Sequence, residues 1–203
     1  MIEKFNANKK DFLKKIRPLI NSPVICLTGQ MAAGKNYVCA MLEKLGAVST
    51  DLDKTAHIAI QESTQQILDE FQKDAEESGI NLQTPDGSLN RRALGKLIFS
   101  EPSLLKKQEE IVYPKIIELT KKFIEENEGK TVILNATVLH KTPELMALCS
   151  KIIFVSAPCF KRLFRAKKRD GMPLNQLMAR FSAQKNLLQE YKKTGKPIII
   201  VKN

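Results

Sequence analysis

The stretch VICLTGQMAAGKNYVCAMLEKLG, residues 24–46, contains the features that decide the fold. An apolar run ends at Gly29, Gly34 and Lys35 complete the spacing G-x-x-x-x-G-K, and apolar residues then recur at helical intervals. Glycines allow backbone N–H groups to turn toward an anion, and the N-terminus of the following helix adds the positive end of its dipole. The stretch therefore predicts a strand, a phosphate-binding loop and a helix.

Nine consecutive residues are candidates for binding the phosphates of a nucleotide. They are Gly29, Gln30, Met31, Ala32, Ala33, Gly34, Lys35, Asn36 and Tyr37. Lys35 would reach the β- and γ-phosphates as a point charge. Asn36 stands where a Ser or Thr hydroxyl normally holds Mg²⁺, so either its amide oxygen is a metal ligand or a water molecule fills that position. Binding of phosphates by residues 29–35 is expected with either arrangement.

Four further apolar runs predict the remaining strands of one sheet, at residues 47–50, 132–135, 152–156 and 198–201. Continuous apolar runs separated by helical segments are typical of a parallel sheet covered on both faces. Residues 55–127 are almost all helix-like, which predicts a helical insertion, and helical spacing within residues 3–20 predicts an N-terminal amphipathic helix. The expected fold is a three-layer α/β architecture with a five-stranded parallel sheet.

The composition is that of a compact globular protein rather than a membrane or disulfide-stabilised one. The 203 residues carry a net charge of +11, and no apolar run reaches the length of a membrane span. The first 20 residues are too polar for a secretory signal, so a cytoplasmic protein is expected. Four scattered cysteines and two histidines argue against a disulfide framework or a zinc site. The positive charge suits a nucleic acid, a membrane surface or a polyphosphate metabolite.

Two carboxylates follow the second predicted strand, at Asp51 and Asp53. In a doubly wound sheet, ligands bind beyond the carboxyl ends of the strands, so Asp51 should face the phosphate-binding loop. A carboxylate there could orient an attacking hydroxyl and accept its proton, or hold Mg²⁺ through water. The alternative is that one of the two caps the next helix.

Residues 161–169, KRLFRAKKR, form the densest basic cluster of the chain. Arg165 and Arg169 are four residues apart, so they share one face of a helix and could close over a transferring phosphoryl group as a lid. A solvated helix face and a phosphate-backbone patch for nucleic acid are the alternatives. No aromatic residues alternate with the basic ones, which argues against a platform for stacking bases.

Taken in order along residues 24–203, these motifs resemble those of the dephospho-coenzyme A kinase family. Residues 27–35 and 51–53 match its L-T-G-x-x-x-x-G-K loop and its Asp-x-Asp. Residues 87–99 are similar to its segment G-x-L-x-R-x-x-L-x-x-x-V-F, and residues 162–184 are similar to its lid. The matching residues are Arg91 in the first of these segments and Arg165, Arg169, Arg180 and Gln184 in the second.

Three positions near the implied site depart from the family's pattern. Asn36 replaces the Ser that follows Lys35, and Tyr113 replaces the His of the family's I-x-H-P-x-I. Residues 136–140 differ from its P-L-L-F-E and end in His140 in place of Glu. These departures bear on metal binding and on the identity of the phosphoryl acceptor.

The resemblance implies a P-loop kinase fold with a helical lid and a defined reaction. Such an enzyme uses Mg²⁺ and transfers the γ-phosphoryl group of ATP to the ribose 3′-hydroxyl of dephospho-coenzyme A, the last step of coenzyme A biosynthesis. The implied catalytic residues are Asp51 as base, Lys35, Arg165 and Arg169, of which the two arginines also bind ATP. The implied acceptor-binding residues are Asp51, Asp53, Arg91, Tyr113, His140 and Arg180. Asn36 and, through water, Asp51 are the candidate metal ligands.

The same reasoning divides the chain into three parts. Residues 1–22 form the N-terminal helix, residues 23–60 and 128–203 form the nucleotide-binding core with a lid at about 161–184, and residues 61–127 form the acceptor-binding insertion. A monomer that binds ATP and dephospho-coenzyme A, without a nucleic-acid or membrane partner, is expected. The alternatives are a kinase of the same fold that phosphorylates a nucleoside or nucleotide, and a nucleotide- or nucleic-acid-binding protein without catalysis.

Overall fold

In the computed structural model of this protein, residues 2–6, 17 and 22–203 are described, the first segment by its backbone. Within these residues six strands form one sheet in the order β1-β6-β5-β2-β4-β3. The strands are β1 (Ile2–Asn6), β2 (Val24–Gly29), β3 (Val48–Asp51), β4 (Val132–Asn135), β5 (Lys151–Ser156) and β6 (Ile198–Lys202). Every pair of neighbouring strands is parallel.

The predicted α/β class with a parallel sheet is confirmed. The five strands expected from the apolar runs are β2 to β6, and their ends lie within one residue of the predicted ones. The strand that was expected to stop at Thr50 continues to Asp51, so this carboxylate ends β3 rather than following it. A parallel sheet places the carboxyl ends of its strands along one edge, which is therefore where Gly29 and Asp51, the last residues of β2 and β3, lie.

The prediction of a helix over residues 3–20 is wrong for its first part. Residues 2–6 form the sixth strand, β1, which pairs with β6 along its whole length. The physical reason is tertiary pairing, because the unpaired backbone groups at the edge of β6 accept another strand whatever the helical periodicity of the segment. Apart from Arg17, residues 7–21 lie outside the described residues, so the remainder of that prediction is not addressed by the structure.

The chain forms two compact units. The first comprises Met1–Asp51 and Phe123–Asn203, and the second is Leu52–Lys122. The insertion predicted at residues 61–127 overlaps the second unit over most of its length. No helix among the described residues is both long enough and apolar enough to cross a bilayer.

The first unit contains the sheet and five α-helices within its described residues. These are α1 (Lys35–Glu43), α6 (Pro143–Leu148), α7 (Cys159–Asp170), α8 (Leu174–Ala183) and α9 (Leu187–Lys193). A short 3₁₀ turn at Leu139–Lys141 precedes α6. The core packs the inner side chains of the central strands, such as Ile25, Leu27 and Ile153, against Val38 and Leu42 of α1. This packing fixes α1 directly behind the loop that joins it to β2.

The second unit is helical. It contains α2 (Leu52–Glu62), α3 (Thr64–Glu77), α4 (Arg91–Ile98) and most of α5 (Pro102–Glu125). Ile67, Phe71 and Ala75 of α3 are buried at intervals of four residues, which is the spacing of one helix face. Asn90 caps α4 by accepting a hydrogen bond from the backbone N–H of Ala93 at 3.1 Å.

Candidate active site

The loop between β2 and α1 depends on glycine at both of its ends. Gly29 has a φ of 155°, and a Cβ there would lie 2.3 Å from the backbone oxygen of Val155. Gly34 has a φ of 96°, and a Cβ there would lie 2.0 Å from Nδ2 of Asn203. Both positions have a backbone conformation that L-residues rarely adopt, and at Gly29 a side chain would also collide with the backbone of β5. The predicted phosphate-binding loop is therefore built as the sequence motif requires.

The N-terminus of α1 faces this loop. Gly34 is the N-cap, and the first bond of the helical ladder runs from the N–H of Val38 to the carbonyl of Gly34 at 3.2 Å. The N–H groups that precede Val38 in the first turn lie outside that ladder, and no acidic residue occupies the turn. The positive end of the helix dipole and these N–H groups favour an anion such as phosphate.

Three side-chain hydrogen bonds hold the loop from outside. The N–H of Met31 donates to Oε1 of Gln184 at 2.6 Å, and Nε2 of Gln30 donates to the carbonyl of Gln184 at 3.3 Å. Nδ2 of Asn203 donates to the carbonyl of Ala33 at 3.0 Å. The sequence places Gln184 in the lid segment by resemblance, but it gives no sign of Asn203, which is 170 residues from its partner.

Helices α7 and α8 form the predicted lid, and they pack on the loop. Gly171, with a φ of 61°, ends α7 in the left-handed conformation and lets the chain turn into α8. A small apolar cluster is built from Ala166 of α7 and from Leu177 and Phe181 of α8. Met31 and Ala32 of the loop pack against it, together with Leu163 and Met172. The lid and the phosphate-binding loop are thus in direct contact.

Arg165 lies beside the loop and has a buried guanidinium nitrogen. Its Nη1 lies 3.7 Å from the position that a Cβ on Gly34 would occupy. Within the described part of the chain, this buried Nη1 makes no hydrogen bond. A buried unpaired guanidinium nitrogen is costly, so such groups in native structures call for a ligand or a functional explanation. Its place next to Gly34 suits an anion bound in the loop.

Arg169, the other candidate catalytic arginine of α7, makes an ion pair instead. Arg169 donates from Nε and Nη2 to the two carboxylate oxygens of Asp170, at 2.6 and 2.9 Å, and most of its side chain is exposed. This pairing raises the pKa of Arg169 and lowers that of Asp170, whose carboxylate is further stabilised by the charge of Arg180. The structure therefore brings Arg165 to the loop and holds Arg169 in an ion pair.

Lys35 is engaged by a polar cluster under the loop. Its Nζ donates to Oγ1 of Thr137, the second residue after β4. The carbonyl of Thr137 accepts hydrogen bonds from Oγ1 of Thr28 at 3.0 Å and from the phenol of Tyr191 at 3.1 Å. Thr28 and Tyr191 are fully buried. Sequence reasoning did not select Thr28, Thr137 or Tyr191 as site residues.

The two candidate metal ligands lie on either side of Asn135. Nδ2 of Asn135 donates to Oδ1 of Asn36 at 3.2 Å, and Asn135 is the register partner of Asp51 in the β3–β4 pair. Asn135 is buried and is the last residue of β4, VILN. A polar residue that ends an otherwise apolar strand is the feature of the sequence that could have identified Asn135 as a site residue. No group of three or more His, Cys, Asp or Glu side chains that could hold a metal occurs among the described residues.

Two of the predicted acceptor-binding residues meet in the second unit. Arg91, which begins α4, and Tyr113 of α5 line a cavity of about 540 Å³ that also includes His57 and several apolar side chains. The phenol of Tyr113 donates to Oε1 of Glu109 at 3.0 Å, and burial together with this bond raises the pKa of Tyr113 to about 12. Asp53 lies in the exposed first turn of α2.

His140 lies next to Tyr191. Its ring meets the ring of Tyr191 edge-on, with centroids 4.9 Å apart, and burial lowers its pKa. It also lines a cavity of about 390 Å³ with Pro143, Glu190 and Lys193, among others. His140, which the sequence predicts to bind the acceptor, is thus half-buried beside α9. Arg180, another predicted acceptor-binding residue of the first unit, is exposed on α8.

Comparison with known proteins decides the family. A sequence model of the dephospho-CoA kinase family matches residues 23–203. The chain belongs to this family. It is 37% identical to the dephospho-CoA kinase of Treponema denticola over 184 residues, which cover 89% of this chain and 82% of that one. The dephospho-CoA kinase of Treponema pallidum is also 37% identical, over 80% of this chain and 78% of its own.

Two solved structures share the fold of this chain. A crystal structure of a Thermus thermophilus protein superposes with a TM-score of 0.70 at 28% identity, covering 89% of this chain and 87% of that chain. The dephospho-CoA kinase from Campylobacter jejuni superposes with a TM-score of 0.60 at 23% identity, covering 90% and 88%. The family resemblance inferred from the sequence motifs is confirmed.

Proposed function

We propose that this member of the dephospho-CoA kinase family transfers the γ-phosphoryl group of ATP to the ribose 3′-hydroxyl of dephospho-coenzyme A. The observation that carries the proposal is the buried Nη1 of Arg165 beside Gly34, at the N-terminus of α1, which makes no hydrogen bond to any residue that the structure describes. A glycine loop, a helix N-terminus and a free guanidinium nitrogen together form a binding site for a polyphosphate. The matching family supplies the reaction in which such a site is used.

In the proposed reaction each group of the first unit has a distinct task. Residues 29–37 bind the phosphates of ATP, and Lys35 and Arg165 neutralise the charge of the transferring γ-phosphoryl. The acceptor's 3′-oxygen forms a bond to the γ-phosphorus while the bond to the β–γ bridging oxygen breaks, and ADP leaves. Asp51, at the carboxyl end of β3, accepts the hydroxyl proton. Arg169 contributes to catalysis only after its guanidinium group leaves the Asp170 carboxylate and binds a phosphate oxygen instead.

Dephospho-coenzyme A would be bound by Asp53, Arg91, Tyr113, His140 and Arg180 in addition to Asp51. Arg91 could pair with a phosphate of the acceptor in a cavity that it shares with Tyr113 and whose other lining residues are largely apolar. With a pKa near 12, Tyr113 remains a neutral phenol at physiological pH and acts through hydrogen bonds. A monomer in the cytoplasm is proposed, and the reaction needs neither nucleic acid nor a membrane.

The donors at the loop fit a Mg²⁺ ion that arrives with ATP. Mg²⁺ is usually held by one or two protein oxygens together with phosphates and water, so a cluster of three acidic ligands is not needed. One lone pair of Asn36 Oδ1 is engaged by Asn135, the other remains available, and Asp51 lies in register with the same Asn135. Mg²⁺ held there would supply positive charge that offsets the negative charge of the phosphates.

The decisive test is an acceptor assay with Mg-ATP and a panel of dephospho-coenzyme A, nucleosides and nucleotides. Coenzyme A should be the main product, with one ADP released per coenzyme A formed. The Tyr113–Glu109 hydrogen bond, in the cavity proposed for the acceptor, is the reason to include other acceptors. ADP release with a nucleoside but no formation of coenzyme A would reassign the acceptor while leaving the kinase chemistry in place.

Asn36→Ser is expected to retain activity and to lower the concentration of free Mg²⁺ needed for half-maximal turnover. A serine hydroxyl is smaller than the Asn36 amide. In this variant the hydrogen bond that Asn135 donates to Asn36 Oδ1 is lost, so it no longer competes with Mg²⁺ for the ligand oxygen. The measurement is turnover against free Mg²⁺ at saturating ATP, with Asn36→Ala as the matched variant that offers no oxygen ligand. A large loss of activity in Asn36→Ser would show that the amide itself is a required ligand.

A further inference from the structure

The position of the Lys35 ammonium raises a question that the phosphate-binding motif does not answer. A lysine side chain has four flexible methylene groups, so a motif that fixes only the backbone leaves the charged end free to move. In this structure Nζ of Lys35 donates to Oγ1 of Thr137. Thr137 is therefore one of the groups that determine where Lys35 meets a phosphoryl group, and its own position depends on what holds it.

Thr137 lies outside regular secondary structure. It is the second residue after β4, and the last bond between this segment and β2 runs from the N–H of Ala136 to the carbonyl of Leu27 at 3.0 Å. The 3₁₀ turn begins only at Leu139. The peptide of Thr137 is thus held by side chains rather than by the hydrogen-bond ladder of the sheet.

Two buried hydroxyls hold this peptide. Oγ1 of Thr28 and the phenol of Tyr191 both donate to the Thr137 carbonyl, at 3.0 and 3.1 Å, which satisfies its two lone pairs. Thr28 comes from β2, whereas Tyr191 comes from α9, 54 residues away along the chain. The Tyr191 ring is itself fixed, because the rings of His140 and Phe154 meet it edge-on at 4.9 and 6.4 Å.

We propose that Tyr191 is a positioning residue for Lys35: its hydroxyl fixes the Thr137 peptide, and the Thr137 side chain then sets the place of the Lys35 ammonium. The role deepens the proposed function, because it rests on Lys35 acting on the phosphates of ATP. Tyr191 is fully buried, so its effect on the substrates would pass through Thr137 and Lys35. Burial raises the Tyr191 pKa, so the phenol stays protonated and remains a donor throughout the working range of pH.

Tyr191→Phe tests this directly, because it removes the hydroxyl and keeps the ring between its aromatic neighbours. We expect kcat to fall about tenfold and ATP affinity to weaken by no more than about threefold, since Thr28 still holds the carbonyl. Thr137→Val, which keeps the backbone bonds and removes the Lys35 acceptor, should lower kcat at least as much. Thr137→Ser should restore kcat to within about threefold of the unmodified protein.

A double-mutant cycle separates positioning from stability. In the Thr137→Val background, Tyr191→Phe should change kcat by less than about twofold, while it lowers the unfolding temperature by the same amount in both backgrounds. Ser150→Ala is the matched control, because it removes a hydroxyl that donates to the carbonyl of Val24, at the far end of β2, at 2.8 Å. A tenfold loss of kcat from Tyr191→Phe in both backgrounds, or in neither, overturns the proposal.

A second measurement does not depend on catalysis. The NMR signal of the Lys35 Cε methylene, assigned with Lys35→Arg, should shift or broaden in Tyr191→Phe and in Thr137→Val, but not in Ser150→Ala. An unmoved Lys35 signal refutes the positioning role even if the enzyme is a dephospho-coenzyme A kinase. A moved signal in a protein that forms no coenzyme A would support the positioning role and refute the proposed acceptor instead.

Discussion

Asp51→Asn is expected to lower turnover on the order of 10³-fold while leaving the affinity for ATP within about threefold. The amide has nearly the shape of the carboxylate but cannot accept the proton of the attacking hydroxyl. Asp51 is the last residue of β3 and lies in register with Asn135, at the edge of the sheet that also carries the loop. The measurements are the rate of coenzyme A formation and the dissociation constant of ATP by calorimetry.

Asp53→Asn is the comparison variant for this prediction. It makes the same chemical change two residues further on, in the exposed first turn of α2. We expect its effect to appear mainly in the KM for the acceptor and to be far smaller than that of Asp51→Asn. Comparable losses of turnover in the two variants would argue against a single general base at Asp51.

Two other outcomes for Asp51→Asn would change the interpretation. A collapse of ATP affinity would indicate that Asp51 acts chiefly through the metal and the nucleotide rather than as a base. If the unmodified protein shows no turnover and Asp51→Asn leaves ATP binding unchanged, the hypothesis of a binding protein without catalysis is favoured. Binding to DNA or RNA that falls steeply with salt would then identify the partner.

The parts of the site that the sequence predicts are those built from local chain. Gly29, Gly34 and Lys35 belong to one strand–loop–helix segment, where spacing along the sequence fixes positions in space. The five apolar strands and the place of Asp51 at a strand end follow from the same local patterns, together with the general rule for parallel sheets. These expectations required no knowledge of which distant segments come together.

The residues that sequence reasoning missed act across long separations. The hydrogen bonds Thr137–Lys35, Asn135–Asn36 and Asn203–Ala33 join residues that are 102, 99 and 170 positions apart in the sequence. A single Thr or Asn in a loop or at a strand end has no periodicity that would mark it as a partner. Strand β1 was missed for a similar reason, because its pairing with β6 is a tertiary interaction.

The lid shows where a local rule stops being sufficient. Arg165 and Arg169 share one helix face, as their spacing requires, but the Cα of Arg169 lies about 6 Å further along the axis of α7. Arg165 therefore reaches Gly34, whereas Arg169 reaches its neighbour Asp170. Helical periodicity predicts the face that both residues occupy and does not predict which of them meets the loop.

Arg165→Met is the second change with a large expected effect, and it should lower kcat on the order of 10³-fold, the low end of the range for arginines that stabilise a transferring phosphoryl group. Methionine keeps much of the apolar stem and removes the charge and the donors. ATP affinity should weaken less than kcat falls, because negative charge on the transferring group is best matched by the guanidinium in the transition state. Steady-state kinetics with calorimetric ATP binding separates the two effects.

The same variant should not lose stability. The buried Nη1 of Arg165 has no hydrogen-bond partner within the described residues, so removing it relieves an unsatisfied polar group instead of breaking a bond. We expect the unfolding temperature of ligand-free Arg165→Met to equal or exceed that of the unmodified protein. A loss of activity together with unchanged or increased stability is the behaviour of a group held in place for its ligand rather than for the fold.

Lys168→Met is the matched control, since it removes one positive charge from the same helix at an exposed position. Its kcat should stay within about twofold, which separates the effect of Arg165 from a general loss of positive charge in the lid. The kcat of Arg169→Met should lie between those of Arg165→Met and Lys168→Met, because Arg169 must first leave its ion pair with Asp170 before it can contribute to catalysis. If Arg169→Met is the more damaging variant, nucleotide binding must rearrange α7 so that Arg169 replaces Arg165 at the loop.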